Sequence, residues 1–182
     1  ALSVAMALSV SVARAGDLKS GPQTGEGVGA YQVTKVAGAE SEGVKDGSNL
    51  CYRCRMGSRP VVMVFARSAD KSLAQLTKEL DQVVAKNSDK KLASFVNLLG
   101  KDEDALKKQA AEFVNGNKLE NVAFVVPHDQ PNGPGSYKIN PEADVTVLIY
   151  REGKVVVNHT LAAGKLNDGA IKQIVADTAK IL

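Results

Sequence analysis

Cys51 and Cys54 are the only cysteines in this chain of 182 residues, and two residues separate them. A pair at this spacing can close a local disulfide, or it can cycle between dithiol and disulfide in thiol–disulfide exchange. Arg53, Arg55 and Arg59 surround the sulfurs, and nearby positive charge favours the reactive thiolate. The motif is therefore the main candidate for chemistry in this chain.

Three hypotheses for the pair stay open from the residues alone. The first is a structural disulfide that acts as a clasp on its own loop, although a ring this short gives a modest entropic gain. The second is a redox-active dithiol, with Cys51 as the attacking thiol and Cys54 as the resolving one. That assignment assumes that the more N-terminal sulfur is the exposed one.

The third hypothesis is a soft metal site for copper(I) or zinc, with Cys51, Cys54 and Met56 as weak candidate ligands. A structural zinc site needs four ligands, and His128 and His159 lie far away in the sequence. The sequence predicts no cofactor. Haem attachment is disfavoured because an arginine, not a histidine, follows the second cysteine.

Charge and the N-terminal segment limit the partners and the location. The net charge of +3 comes from 23 basic and 20 acidic residues spread along the chain, which argues against nucleic acid as a partner. Residues 1–15 resemble a signal peptide, with a short apolar region that ends in Ala13-Arg14-Ala15. We therefore predict a secreted or periplasmic protein with no membrane span in the mature chain, where a disulfide can form.

The elements that position the cysteines are less regular than those that follow. Residues 16–58 are rich in glycine and predict an extended leader and a loop that carries the motif, with a short strand near residues 31–36. No helix N-terminus is predicted beside the cysteines. Pro60 to Ala66 is a continuous apolar run, which is typical of a strand buried on both faces. The predicted elements after it are a helix at 70–86, a strand at 92–99, a helix from 102, a strand at 121–126, hairpin strands at 145–150 and 154–158, and a last helix after 167.

This order, together with three sequence blocks, resembles the thioredoxin-like superfamily and its peroxiredoxin-like branch. The blocks are Gly25 to Val33 for the leader, Arg59 to Ala66 for the central strand, and Asp144 to Val156 for the closing hairpin. A looser similarity is to secreted bacterial thioredoxin-like proteins that carry a C-x-x-C before this strand. The resemblance implies an α/β, thioredoxin-like fold: a central mixed sheet flanked by helices, with an extended N-terminal leader.

The departures from the family matter most for function. Alignment on Phe65 places the usual redox cysteines within Asp70 to Leu73, where the chain has none. The peroxidatic cysteine pattern is also missing from residues 66–76. The proline that normally lies against the redox site, in cis, corresponds to Val145. The family's standard mechanism therefore does not carry over to this chain.

We accordingly divide the chain into a signal-like segment (1–15), a leader and loop (16–58) and a thioredoxin-like domain (59–182). The sequence favours a non-enzymatic binding or structural module with a Cys51–Cys54 disulfide clasp, and the partner this implies is another protein. The alternatives are a thiol–disulfide oxidoreductase that uses the displaced pair, and copper or zinc binding.

Overall fold

The structure, a computed structural model, describes residues 18–129 and 131–182. The predicted signal-like segment, residues 1–15, lies outside the described residues. The strands are β1 (Val33–Ala37), β2 (Asn49–Leu50), β3 (Val61–Ala66), β4 (Ala93–Leu98), β5 (Val122–Pro127), β6 (Ala143–Arg151) and β7 (Lys154–Ala162). The helices are α1 (Tyr52–Met56), α2 (Lys71–Lys86), α3 (Glu103–Asn117) and α4 (Asp168–Asp177), with short 3₁₀ turns at Glu40–Glu42, Gly135–Tyr137 and Thr178–Ile181.

The strands form one mixed sheet in the order β2-β1-β5-β4-β3-β6-β7. Strands β3, β4 and β5 are parallel, β6 runs antiparallel to β3, and β1 runs antiparallel to β5. The predicted α/β fold with a central mixed sheet is confirmed. Because β1 and β2 lie in this sheet, much of the leader is integrated with the elements that follow it.

Strand β3 is buried along its whole length, as its apolar run predicts. Alternate residues point to opposite faces of a sheet, so β3 contributes to two cores. Val62 and Val64 belong to the core on one face, and Met63 and Phe65 belong to the core on the other.

The three long helices all pack on the face of Val62 and Val64. Each begins at a side chain that accepts a hydrogen bond from the first turn: Asp70 for α2, Asp102 for α3 and Asn167 for α4. The apolar residues that they bury in this core include Leu73, Leu76, Leu80, Leu106, Ala110, Phe113, Ile171 and Ile174. The sequence predicted these helices because their apolar residues recur every three or four positions.

Within the part of the chain that the structure describes, the opposite face is covered without a long helix. Its core contains Val28 and Tyr31 of the leader, α1, and the segment around Tyr137. The ring of Tyr137 packs 5.1 Å from that of Tyr31 and 5.6 Å from that of Phe65. Burial raises the pKa of both tyrosines. Helix α1 and the leader therefore form the cover of this face.

Strands β6 and β7 form a long hairpin beside β3. The turn consists of Glu152 and Gly153, and both have positive φ, 55° and 75°. Two successive positive φ values are the pattern of the tight turn that suits a twisted hairpin. The turn lies at the end of the sheet where β3 begins, because Val61, the first residue of β3, pairs with Tyr150 near the end of β6.

Candidate functional site

The two cysteines lie at the start of α1, a helix that the sequence did not predict. Cys51 is its N-cap residue, with extended backbone angles (φ −84°, ψ 94°), and Cys54 lies within the helix. Their Sγ atoms are 1.95 Å apart, bonded as a disulfide, and their Cα atoms are 5.2 Å apart. The prediction that no helix begins beside the motif is therefore wrong.

The sequence around the motif explains why this turn is helical. Tyr52 and Met56 are four residues apart, so a single turn places both on one face, and both are buried. The backbone N–H of Cys54 donates to Sγ of Cys51 at 3.1 Å. Gly57 ends the helix with a φ of 57°. The spacing of Tyr52 and Met56 agrees with α1, but two apolar residues do not establish a helical period.

Packing holds α1 on the sheet. The Tyr52 ring lies 5.1 Å from that of Phe95, a β4 residue, measured between ring centroids. The Tyr52 hydroxyl donates to the carboxylate of Glu42, and the Arg55 guanidinium donates to the backbone carbonyl of Glu42. Burial, reinforced by the charge of Glu42, raises the pKa of Tyr52, so this hydroxyl keeps its proton to donate. The segment before β3 is thus anchored independently of its disulfide.

The two cysteines differ in exposure. Cys54 is exposed and Cys51 is half-buried. The sequence-based assignment of Cys51 as attacking thiol assumed the opposite order. Residue exposure therefore favours Cys54 as the more accessible of the two cysteines.

The pair lies at the end of β3 opposite to Asp70–Leu73, the segment that aligns with the redox position of the family that the sequence resembles. Helix α1 precedes Val61, whereas Asp70 follows Ala66. At about 3.3 Å per residue, the six residues of β3 separate these two ends by about 17 Å. The cysteines therefore cannot use the groups that surround the usual position.

The usual position is filled by structural contacts. Asp70 caps α2 by accepting from the backbone N–H of Leu73 at 2.9 Å. Arg67 donates through Nε to the carbonyl of Ala143 at 3.0 Å and through Nη2 to that of Asn140 at 3.3 Å. Burial lowers the pKa of Arg67, and the charge of Asp144 opposes this shift. Residues Asp70 to Leu73 act here as the start of a helix.

The three arginines near the cysteines all contact backbone groups, Arg55 through the carbonyl of Glu42 as described above. Arg59 donates through Nε to the carbonyl of Lys91 at 2.8 Å. The Arg53 guanidinium lies against Gly153, where a Cβ would collide with its Nη2 atom. The Nε atom of Arg53 is buried and has no hydrogen-bond partner within the described part of the chain. The hairpin turn thus limits the position of the Arg53 guanidinium.

The structure gives the metal hypothesis no additional ligand. His128 contacts Thr34 at 3.1 Å and Asn49 at 3.3 Å, and His159 contacts Asp177 at 3.0 Å. Within residues 18–129 and 131–182, no three His, Cys, Asp or Glu side chains converge on a common point. Met56 is buried in the core of the second face, while Cys54 is exposed.

Comparisons with known proteins support the fold. No protein-family description matches the chain, and no curated protein matches it in sequence. A putative thiol:disulfide interchange protein DsbE from Chlorobium tepidum is similar in structure, with a TM-score of 0.55, 20% identity and coverage of 86% of this chain and 97% of that one.

Two further solved structures lead to the same conclusion. Peroxidoxin BcpB from Mycobacterium tuberculosis has a TM-score of 0.59 at 12% identity, over 88% of this chain and 98% of that chain. An uncharacterized thioredoxin-like protein from Porphyromonas gingivalis has a TM-score of 0.58 at 14% identity, over 85% and 90%. At identities this low, the similarity is evidence for the fold alone. The thioredoxin-like fold predicted from the sequence is confirmed.

Proposed function

We propose that this protein is a thiol–disulfide exchange protein that uses the Cys51–Cys54 pair, displaced from the position usual in its fold. The observation that carries the proposal is the exposed disulfide on a helix that packing already holds in place. A disulfide that the fold does not need for anchoring is free to open and close.

The stabilisation expected from the disulfide, compared with that from the buried Tyr52, favours exchange over a purely structural role. Closing a ring of four residues restricts the unfolded chain by about 2 kcal/mol at most in the chain-entropy model. Burying an aromatic side chain such as Tyr52 contributes more, since truncation of such a residue to alanine costs about 3–5 kcal/mol. Tyr52 and Met56 therefore dominate the stability of this segment.

The two sulfurs receive different roles in this proposal. In the reduced protein the Cys54 thiolate attacks a substrate disulfide, forms a mixed disulfide and releases one half of the substrate as a thiolate. Cys51 then attacks the Cys54 sulfur, which re-forms the disulfide and releases the second half. The Cys54 N–H bond to the Cys51 sulfur and the nearby arginines stabilise negative charge on Cys51. A dithiol donor such as dithiothreitol restores the reduced form.

Trapping of the mixed disulfide tests this function. Cys51→Ser leaves Cys54 able to attack but removes the resolving thiol, so we expect a stable adduct with a peptide disulfide, detected by intact-mass spectrometry. Cys54→Ser serves as the matched variant and should accumulate much less adduct. Stronger trapping by Cys54→Ser would restore Cys51 as the attacking thiol. Absence of adduct in both variants, with no turnover by the unmodified protein, would exclude exchange.

The second candidate is a binding or structural module in which the disulfide only clasps the loop before β3. The conversion of Asp70 to Leu73 into an ordinary helix start favours it, because the fold's usual reactive position is lost. This candidate predicts a reduction potential below about −300 mV, as in stable structural disulfides. A potential near −200 mV supports exchange instead.

The compartment is part of the proposal. We place the protein in a secreted or periplasmic environment, on the signal-like pattern of residues 1–15 and on a disulfide that needs oxidising conditions. No helix within the described residues is long and apolar enough to cross a membrane. Fractionation of cells that express the full-length gene, followed by N-terminal sequencing of the mature protein, tests this placement. Retention of the protein in the cytosol with reduced cysteines would contradict it.

A further inference from the structure

The surface around the disulfide carries positive charge that no nearby carboxylate neutralises directly. Between Cys51 and Arg59 the chain has three arginines and no acidic residue. Arg55 is exposed, and Arg53 and Arg59 are half-buried. All three therefore lie within five residues of Cys54 in the chain.

The hydrogen bonds of these arginines go to backbone carbonyls. Arg55 donates to the carbonyl of Glu42 and Arg59 to that of Lys91, and neither bond removes the positive charge. The ion pairs within the described residues join other groups, in the leader, within α3, and between β7 and the C-terminal residues. Within the described residues, the guanidinium groups of the α1 segment thus form no ion pair, and that of the exposed Arg55 is available to a bound molecule.

Two carboxylates lie on the surface near these arginines. The Glu42 carboxylate accepts from the Tyr52 hydroxyl. Glu152 is exposed in the hairpin turn, and its backbone N–H donates to the carbonyl of Ser58 at 3.3 Å. Lys91 lines a surface depression together with Glu42 and Arg59, and the exposed Lys154 follows the turn that contains Glu152. Positive charges therefore outnumber the two carboxylates, and a positive local field raises the encounter rate with molecules of opposite charge.

We infer that the substrates of this site are disulfides whose cysteines are flanked by carboxylates. The inference rests on the proposed exchange function and specifies its substrate class. Carboxylates next to the scissile sulfur would bind the arginines as the mixed disulfide forms on Cys54, since arginine forms strong charge-assisted bonds with carboxylates. The electrons come from the protein dithiol, which a dithiol donor regenerates.

Matched peptide disulfides test this inference. Three homodimeric peptides differ only in the residues beside the cysteine, which are Glu, Gln or Lys, and oxidised glutathione is a small carboxylated probe. The rate of oxidation of the reduced protein by each peptide is divided by the rate of the same peptide with free dithiothreitol, which removes differences in intrinsic reactivity. If oxidised glutathione is the only fast substrate, the natural substrate is a small carboxylated disulfide. If the Glu peptide is fast, the natural substrates are acidic protein segments that contain a disulfide.

The expected result is a preference for the Glu peptide over the Lys peptide by about tenfold at low ionic strength, within the range of electrostatic steering. Near 1 M salt, where the Debye length is about 3 Å, the preference should fall to within about twofold. Equal normalised rates for the two peptides at low salt would overturn the inference. Failure of all peptides to react, the Gln peptide included, would instead contradict the proposed exchange function.

Variants that remove single charges test which residues cause the preference for the Glu peptide. Arg55→Gln removes an exposed charge and should lower the Glu-to-Lys rate ratio about threefold, with the rate of the Gln peptide changed less. Lys172→Gln is the control, because Lys172 is exposed on α4, across the sheet from α1. An equal loss of preference in both variants would show that overall charge, rather than this site, governs selection, and would also overturn the inference.

Discussion

Tyr52 lies with its ring centroid 5.1 Å from that of Phe95, and this contact joins the cysteine helix to the fourth strand of the sheet. Tyr52, which directly follows Cys51 in the chain, thus anchors the cysteine helix to the core through its aromatic ring. Its burial makes α1 part of the folded core of the second face, although the helix has only five residues.

The first prediction compares this anchor with the disulfide. Tyr52→Ala should lower the free energy of unfolding by about 3–5 kcal/mol. The Cys51→Ser, Cys54→Ser double variant should lower it by about 2 kcal/mol or less. Urea unfolding followed by circular dichroism measures both. A larger loss in the double variant than in Tyr52→Ala would favour the clasp over exchange.

The second prediction concerns the vacated redox position. Asp70→Ala removes the cap of α2 and should cost about 1 kcal/mol of stability, without changing the rate of thiol exchange at Cys54. Asp70→Asn is the matched control, because asparagine also accepts from the helix amides. A large loss of exchange in Asp70→Ala would show that this end of β3 still takes part in the chemistry.

The third prediction uses two glycines with similar backbone angles. Gly153 and Gly164 have φ values of 75° and 70°, so alanine strains both turns, by about 1 kcal/mol or more. At Gly153 the new Cβ also displaces the Arg53 guanidinium, whereas at Gly164 it meets nothing within 4 Å. Gly153→Ala should therefore reduce the preference for Glu-flanked peptides, and Gly164→Ala should not. Identical behaviour of the two variants would argue against a role for Arg53.

The fourth prediction is a dependence of stability on pH through His159. Burial lowers its pKa from the ordinary value of 6.5, and Asp177, at 3.0 Å from Nε2, opposes this shift. Below about pH 6.5 the unfolded chain takes up a proton that the folded protein resists, so the free energy of unfolding falls as the pH falls.

Asp177 acts in a lower pH range. Burial works to raise its pKa, but hydrogen bonds, the first of them from Lys180, bring it below the ordinary value of 3.8. Its contribution is therefore present above that value and is lost only in stronger acid. His159→Gln should flatten the pH dependence just below 6.5, at a cost of about 1 kcal/mol near neutral pH. Unfolding midpoints across a pH series check this, and an unchanged slope in the variant would contradict the assignment.

The long elements could be predicted because their residues repeat with a helical or strand period. Leu73, Leu76 and Leu80 indicate α2. The apolar run before Arg67 indicates β3. Such signals are local, so they can be recognised without knowledge of the rest of the chain.

The candidate site was harder to predict because its determinants are short or distant in sequence. Helix α1 has only Tyr52 and Met56 as apolar residues, which is too few to establish a period. The relative exposure of Cys51 and Cys54 depends on how α1 packs against β4, about forty residues later. The position of Arg53 depends on Gly153, a hundred residues away. Contacts of this range are absent from a local pattern.

The one-sided placement of the three long helices also bears on motions of the native protein. The face that carries α1 is closed by the leader and by single turns, which hold fewer internal backbone bonds than α2, α3 and α4. Segments of this kind open at lower free energy than the rest of a fold, as amide hydrogen exchange reveals. We expect the Cys54 amide to exchange faster than that of Leu80, while α2 stays closed. Such a partial opening would make room around Cys54 for a bulky protein substrate without unfolding the sheet.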